Sequence, residues 1–340
     1  MRTGFVIDSA CDLPQSYLQE HDIYIMPISL HFGYDIFEDV RDPEATQAFY
    51  RKYLAEKTLD AETAPFSVEK IKAMFLDDLV LKYDRVLVIV IAQSRSPIFA
   101  NATEASYAIL KQYRARRQKA GLSGSFGLTV IDSKTLFTGE GVLVHEAVRL
   151  VEENHLSFGA VRGVAEQLSQ QIYGYLVPDD LFYIRYRASK KGEKSIGLLG
   201  YHFGTLLDIK PIIGFHRGES QVVAKERGFD RTLIKLFAMV RQAIEQGLAT
   251  RIVNISYAGE LDVICRKRAF VEFEQCANER GIEVLLSVMS TAGGINVGPG
   301  SLALSYIAGP PVAILNGNHD VGTAAGPTAA ALPGTDDWMI

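Results

Sequence analysis

The apolar run at residues 86–92 (Val-Leu-Val-Ile-Val-Ile-Ala) constrains the fold more than any other segment of the chain. Most of its residues are β-branched and none is polar, which is typical of a strand buried on both faces. A helical pattern follows at residues 97–119, long enough to cross from one parallel strand to the next. The run therefore predicts an α/β fold with a mainly parallel sheet.

The first 155 residues repeat this alternation of short apolar runs and helical periodicity. Pro27 lies within the second predicted strand and marks a bulge or a sheet edge there. We therefore expect an N-terminal α/β domain over residues 1–155, with helices flanking its sheet. The other strands and helices predicted for it are strands at residues 4–7, 23–32 and 128–131, and helices at 44–56 and 67–82.

The pattern changes near residue 156, where helical stretches are mixed with short strands. We expect a second, α+β domain with a mixed sheet over residues 156–307. The segment 308–340 is rich in Gly, Pro and Ala, which predicts a largely flexible tail. The elements predicted for the second domain are helices at 158–172, 230–246 and 260–280, and strands at 221–224, 250–256 and 283–288.

Composition excludes several classes of protein. The 340 residues carry a formal net charge of −5, whereas a nucleic-acid binder normally has a basic face. An apolar content of 48% is too high for a disordered chain. The three cysteines form no CxxC pair, so we expect reduced thiols. With no secretory signal and no apolar run of membrane-spanning length, a cytoplasmic protein without stable membrane insertion is expected.

The familiar catalytic motifs are missing from the sequence. It contains no GxxxxGK[ST] phosphate loop, no GxSxG elbow and no HExxH. Gly139-Glu-Gly141 does not extend to GxGxxG and does not follow a strand, so a dinucleotide site is not indicated. The seven histidines are widely separated, with no metal-ligand spacing. We therefore expect no catalytic residues, no metal and no cofactor, and interpret the chain as a binding protein.

Small hydroxyl residues follow three of the predicted strands. Ser9 follows the first, Ser96 comes soon after residues 86–92, and Ser133 follows the strand at 128–131. In an open parallel sheet, ligands bind beyond the carboxyl ends of the strands, so these hydroxyls should lie along one crevice. Ser96 precedes Pro97, an arrangement typical of a helix N-cap, which can also seat a carboxylate or phosphate. A helix cap with no ligand is the alternative for Ser96.

Several motifs, taken in order, resemble one protein family. They are Val6-Ile-Asp-Ser-Ala-Cys-Asp-Leu-Pro14, Thr63-Ala-Pro-Phe-Ser67, Ile91-Ala-Gln-Ser-Arg-Ser-Pro97, Val130-Ile-Asp-Ser133, Gly204-Thr-Leu-Leu-Asp-Ile-Lys-Pro211, Lys225-Glu-Arg-Gly228 and Gly298-Pro-Gly300. Their order and spacing resemble those of the DegV family, bacterial fatty-acid-binding proteins that act as acyl carriers for a separate fatty acid kinase. The resemblance covers roughly residues 3–307.

The resemblance implies a site for one long-chain fatty acid in a tunnel between two domains. It implies that Thr63 and Ser96 hold the carboxylate. We add Ser9 to the same set because it follows the first predicted strand. The family usually has a His two positions before Gly-Pro-Gly, where this chain has Asn296. An Asn amide donates a hydrogen bond but carries no positive charge. Asn296 therefore completes the predicted set without charge assistance.

The middle of the chain departs from the family pattern. The family's Gly-Gly-Arg is not intact, and a basic stretch at residues 185–194 stands there as an apparent insertion, with Ser195 at the Arg position. One interpretation is a solvated loop. The other is a docking patch for an acidic kinase surface or for ATP phosphates, because the acid must be presented to a partner. The residues of that patch are Arg185, Arg187, Lys190 and Lys191.

The function expected from the sequence is thus fatty acid binding, with presentation of the carboxylate to a kinase for acyl-phosphate formation. Two alternatives stay open. One is an enzyme of phosphoryl or acyl transfer related to dihydroxyacetone kinases, using Ser96 or Ser9. The other is a binder of a different apolar acid or lipid, without a kinase partner.

Overall fold

The structure is a computed structural model that describes residues 1–51, 61–191 and 208–310, with the side chains of 188–191 left out. The strands are β1 (Thr3–Asp8), β2 (Tyr24–Met26), β3 (Ile28–Phe32), β4 (Asp35–Asp39), β5 (Ala61–Pro65), β6 (Arg85–Val90), β7 (Gly127–Asp132), β8 (Ile172–Val177), β9 (Ile209–His216), β10 (Glu219–Arg227), β11 (Ile252–Tyr257), β12 (Glu283–Val288) and β13 (Leu302–Ile307). The helices are α1 (Gln15–Glu20), α2 (Pro43–Phe49), α3 (Val68–Met74), α4 (Val80–Lys82), α5 (Ile98–Ala108), α6 (Tyr113–Lys119), α7 (Thr138–Glu152), α8 (Phe158–Leu168), α9 (Leu181–Lys191), α10 (Phe229–Gln246), α11 (Leu261–Cys265), α12 (Arg268–Asn278) and α13 (Thr291–Val297).

The predicted α/β fold is confirmed, beginning with a four-stranded parallel sheet. Its strand order is β2-β1-β6-β7, with every neighbouring pair parallel. The apolar run forms β6 in its interior. Val86, Val88 and Val90 pack on one face with residues of α3 and α5, while Leu87 and Ile89 pack on the other with residues of α7. Burial of both faces explains why the run does not alternate with polar residues.

The prediction of one strand over residues 23–32 is wrong, because Pro27 divides it. β2 ends before Pro27 and pairs with β1, whereas β3 begins after it and forms the centre of a separate antiparallel sheet of order β4-β3-β5. Proline has no N–H to give to a ladder, so the sheet cannot continue through it. Thr63, from the family motif at residues 63–67, lies on the strand β5.

The second half of the chain forms the expected mixed sheet, of order β10-β9-β8-β13-β11-β12. Only β11 and β12 pair in parallel among the strands described for it. Helices α10 and α12 pack on this sheet through Leu233, Phe237 and Phe273. Helix α7 contacts strands of both large sheets, and 11 of its 15 residues are buried. Helix α7 therefore packs between the parallel sheet and the mixed sheet.

Several predicted boundaries need correction. The helix at 97–119 is two helices, α5 and α6, and the helix at 260–280 is α11 and α12. The helix at 158–172 ends at Leu168, and Ile172 begins β8. The basic stretch is helical as far as Lys191, so a loop there is wrong. Ser195, residues 204–207 and the predicted tail from 311 lie outside the described residues. No helix within the described parts has both the length and the apolarity to span a bilayer.

Candidate functional site

The loops that follow β1, β6 and β7 meet at the carboxyl edge of the parallel sheet. The buried carboxylate of Asp8 accepts hydrogen bonds from Ala10 N (2.9 Å) and Ile91 N (2.7 Å). Ala92 N donates to Thr135 O at 3.0 Å. Burial raises the pKa of Asp8 to about 6, because the charged form is poorly solvated there. These contacts join the three loops, and we call the edge that they form the rim of the parallel sheet.

Thr63 and Asn296 lie side by side, although 233 positions separate them in the chain. The Asn296 Nδ2 donates to Ala292 O at 2.7 Å, and its contact with Thr63 Oγ1 is 3.4 Å. Thr63 is on β5 and Asn296 is on α13, and both side chains are half-buried. Because the Thr63 hydroxyl accepts from Asn296, its own proton is available to another oxygen. The pair can therefore donate a hydrogen bond to an acid.

Ser96 lies on the loop between β6 and α5 and is also half-buried. Its Oγ accepts from Ile98 N at 3.3 Å, and Pro97 takes the cap position expected for Ser96. The same loop faces the β9–β10 hairpin, where Ser94 Oγ donates to Gly218 O at 3.1 Å. Among the described contacts, Thr63 meets Asn296 but neither meets Ser96.

Ser9 is fully buried and is engaged by the backbone around Pro27. Its Oγ accepts from Ile28 N at 3.0 Å, and its N–H donates to Met26 O at 3.2 Å. This hydroxyl thus satisfies the first residue of β3, just after the chain leaves the parallel sheet. Its observed bonds are those of a residue that ties two sheets together.

The predicted docking residues lie on α9, not on a loop. Arg187 is half-buried, and its Nε donates to Ile295 O at 3.3 Å, next to Asn296. Its guanidinium also lies 5.5 Å from the Tyr186 ring centroid. Arg187 is therefore packed against α13 rather than extended into solvent. Arg185 is half-buried, and Lys190 and Lys191 belong to α9 with side chains outside the described residues.

An apolar cluster lies around α13, between the parallel sheet and the mixed sheet. Its buried members include Phe137, Leu176, Tyr183 and Val297. Phe49 and Leu136 are only partly buried, and both also pack against the core of the parallel sheet. The polar pair on α13 and β5 is thus adjacent to a continuous apolar region.

Two crevices in the described residues have other linings. One, of about 490 Å³, is lined by α6 and the Gly/Ser loop after it, including Arg114 and Ser123. The other, of about 220 Å³, lies beside Leu13 and Arg41. Thr63, Ser96 and Asn296 line neither crevice.

A buried ion pair that the sequence did not reveal joins the loop after β1 to the segment that follows β4. Arg41 Nη1 lies 3.0 Å from Asp12 Oδ1, with both side chains almost inaccessible. Asp12 also accepts from Ser256 Oγ (2.6 Å) and Ser290 N (2.9 Å). Burial raises the pKa of Asp12, and the Arg41 charge opposes that rise. The only sign of these contacts in the sequence is that Asp12 follows a predicted strand.

Buried carboxyl groups are frequent in this region, but they do not form a metal centre. Burial raises the pKa of Glu140 well above its ordinary value, and the charges of Asp8 and Asp12 add to the effect. Within the described ranges, no group of three or more His, Cys, Asp or Glu side chains is arranged to hold a metal ion.

Comparison with known proteins gives one consistent family. A sequence profile described as "Uncharacterised protein, DegV family" matches residues 2–309. A DegV domain-containing protein of Xanthomonas campestris pv. campestris is 43% identical over 310 residues, covering 91% of this chain and 98% of the relative.

Solved structures show the same fold at low identity. A DegV lipid-binding protein from Thermotoga maritima superposes with a TM-score of 0.71 at 19% identity, covering 91% of this chain and 99% of that one. A stearic-acid-binding protein from Eubacterium ventriosum gives a TM-score of 0.71 at 22% identity, covering 90% and 98%.

Proposed function

We propose, from the premise that this chain belongs to the DegV family, that it binds one long-chain fatty acid beside α13. The observation that carries the proposal is the Thr63–Asn296 pair, which places a hydroxyl and an amide at the edge of the apolar cluster. Ser96, on the rim of the parallel sheet, is the second hydroxyl of the head-group site. Ser9, in the loop after β1, holds this loop against β2 and β3.

The acyl chain and the head group of the ligand contribute different amounts of binding free energy. Burying the methylenes of a sixteen-carbon chain at ~0.8 kcal/mol each gives roughly 11 kcal/mol before the entropy of association is subtracted. A hydrogen bond to a charged group contributes about 1.5–3 kcal/mol. The apolar cluster therefore supplies most of the affinity, while Thr63, Ser96 and Asn296 select an acid over other lipids.

We further propose that the protein is a cytoplasmic carrier, not an enzyme, and presents the carboxylate to a separate fatty acid kinase. Helix α9 supports this, because it brings basic residues next to the helix that holds Asn296. An acidic surface or nucleotide phosphates would be attracted there. Acyl phosphate should form from ATP and fatty acid only when carrier and kinase are both present; formation by the carrier alone would make it an enzyme.

Mass identification of the lipid extracted from the purified protein tests the binding proposal. We expect a free fatty acid at about one molecule per chain. A phospholipid or another apolar acid would replace the proposed ligand class.

The head-group assignment is tested with Thr63→Val combined with Ser96→Ala. Losing two hydrogen bonds to a carboxylate should weaken acid binding about a hundredfold or more. The melting temperature of the ligand-free protein should change little, because neither side chain is fully buried. Thr63→Ser, which keeps the hydroxyl, is the matched control. Equal acid binding by the double variant and the wild type would remove both residues from the site.

A further inference from the structure

A carboxylate from the small antiparallel sheet accepts a hydrogen bond from the first turn of α13. Asp39, the last residue of β4, accepts from Ala292 N at 2.8 Å through Oδ2. Ser290 Oγ accepts from Gly293 N at 3.0 Å. The leading N–H groups of the helix are thus satisfied by the protein itself, and a negative charge is favourable at that end.

Two further contacts hold the same turn. Thr46 Oγ1 and Thr291 Oγ1 are 3.0 Å apart, and Ser290 N donates to Asp12 Oδ1 at 2.9 Å. Arg41 joins the two carboxylates: its buried guanidinium pairs with Asp12, and its backbone N–H donates to Asp39 Oδ1 at 3.2 Å. The start of α13 is therefore fixed by charged hydrogen bonds, which are stronger than neutral ones.

Helix α13 crosses the small antiparallel sheet from one edge strand to the other. Asp39 on β4 holds Ala292, whereas Thr63 on β5 meets Asn296, one turn further along the helix. The position of the Asn296 amide relative to Thr63 therefore depends on where Asp39 sets the helix. A small slide or rotation of α13 would separate an amide and a hydroxyl that are already 3.4 Å apart.

We propose that Asp39 is a positioning residue for recognition of the acid head group, acting through α13 on Asn296. The inference rests on the proposed fatty acid site. It adds that selectivity for a carboxylic acid over an apolar lipid of equal length is set by a residue that does not touch the ligand.

Asp39→Asn tests this, because Asn keeps the size but has one acceptor oxygen in place of two. The readout is the affinity for palmitate relative to hexadecanol, two ligands with the same chain length. We expect palmitate affinity to fall about tenfold and hexadecanol affinity to change less than twofold. Asp42→Asn is the matched control: Asp42 caps α2 by accepting from Ala45 N at 2.9 Å. It should leave the ratio unchanged.

An equal loss for both ligands would make Asp39 merely structural and overturn the inference. If Asp39→Asn fails to fold, Thr46→Val removes one contact at the same turn, and an unchanged ratio in that variant also overturns it. The side-chain amide NMR signals of Asn296 in the ligand-free protein give a readout independent of binding, and they should shift in Asp39→Asn but not in Asp42→Asn. A wild type that binds no palmitate refutes the proposed function, whereas unmoved Asn296 signals refute the role of Asp39.

Discussion

In the proposed head-group site, neither Asn296 nor Thr63 carries a formal charge. The Asn296 amide is held by its own helix, through Ala292 O, and reaches across to a strand. Hydrogen-bond geometry, not charge attraction, must therefore decide which head group fits at this pair. The nearby Arg187 donates to the α13 backbone, so at least one of its N–H groups is committed to the fold.

The pKa of a single residue, His145, leads to a prediction about the pH dependence of stability. Burial, together with the neighbouring His21 and Arg149 charges, lowers its pKa to about 4. Unfolded histidine titrates near 6.5, so between about pH 6.5 and pH 4 the unfolded chain binds a proton that the folded chain refuses. The stability associated with neutral His145 is complete above that window and is lost as the pH falls.

His145→Gln should therefore flatten the pH dependence of stability. We expect the free energy of unfolding of the wild type, relative to the variant, to drop by about 1–2 kcal/mol between pH 7.5 and pH 5. Urea denaturation at the two pH values measures it. A constant difference between the two proteins would show that His145 does not titrate differently on folding.

Among the elements, α13 is packed so closely that its glycines have no room for a side chain. A Cβ on Gly294 would lie 2.2 Å from Tyr50 Cε1. Tyr50 is buried, and its hydroxyl lies 2.7 Å from Met289 O and 2.9 Å from Ser290 O. Gly294→Ala should therefore cost about 1–3 kcal/mol of stability through overpacking.

The matched control for Gly294→Ala is Gly163→Ala on α8, where nothing lies within 4 Å of the added Cβ. That change should stabilise the protein by roughly 0.5–1 kcal/mol, because Ala is a better helix former than Gly. Chemical denaturation of both variants makes the comparison. Equal effects of the same sign would show that the Tyr50 contact does not restrict α13.

The elements that the sequence predicted well are those with a strong local pattern. Residues 86–92 specify a doubly buried strand by themselves, and the amphipathic periodicity of α10 located that helix. Helix α7 was not predicted, because it opens on Thr-Gly-Glu-Gly, and glycine disfavours helices. Gly141 is required there by a distant contact: its Cβ would lie 2.3 Å from Asn254 Nδ2. Such a contact has no local signature.

The candidate site was predictable only in part, for the same reason. Thr63 and Asn296 came only from resemblance to a family, since neither lies in a pattern that spacing alone distinguishes. The position of Ser96 after a strand and before Pro97 indicated a possible anion site, but a helix cap with no ligand fitted that pattern too. The Asp12–Arg41 pair and Asp39 depend on hydrogen bonds between residues 29 to 278 positions apart. Their geometry exists only once β4, α13 and β11 have come together.

In the whole molecule, the two large sheets share one apolar core. Ile7 and Ile89 of the parallel sheet belong to the same buried cluster as Ile172 and Ile252 of the mixed sheet, with α7 between them. The proposed division of the chain at residues 155 and 156 falls in the connection between α7 and α8. Both of those helices contribute to this cluster, so neither half has a separate core on that side.

This shared core leads us to expect a single cooperative unfolding transition for the whole chain. The hydrogen bonds that the buried Asp12 accepts from Ser256 and Ser290 strengthen the coupling, because separating the sheets would break them. Scanning calorimetry should give a calorimetric enthalpy equal to the van't Hoff enthalpy. Two resolved transitions, or an independently folded fragment 1–155, would contradict the expectation.

The contact between Thr63 and Asn296 joins an early strand to one of the last helices of the described chain. Only the folded polypeptide brings both groups together, so the proposed head-group site is absent from a nascent or partly opened chain. Cargo bound there would favour the native state by mass action, and thermal resistance should rise with the logarithm of free fatty acid concentration. Molecules without bound fatty acid would therefore be the first to unfold and be degraded.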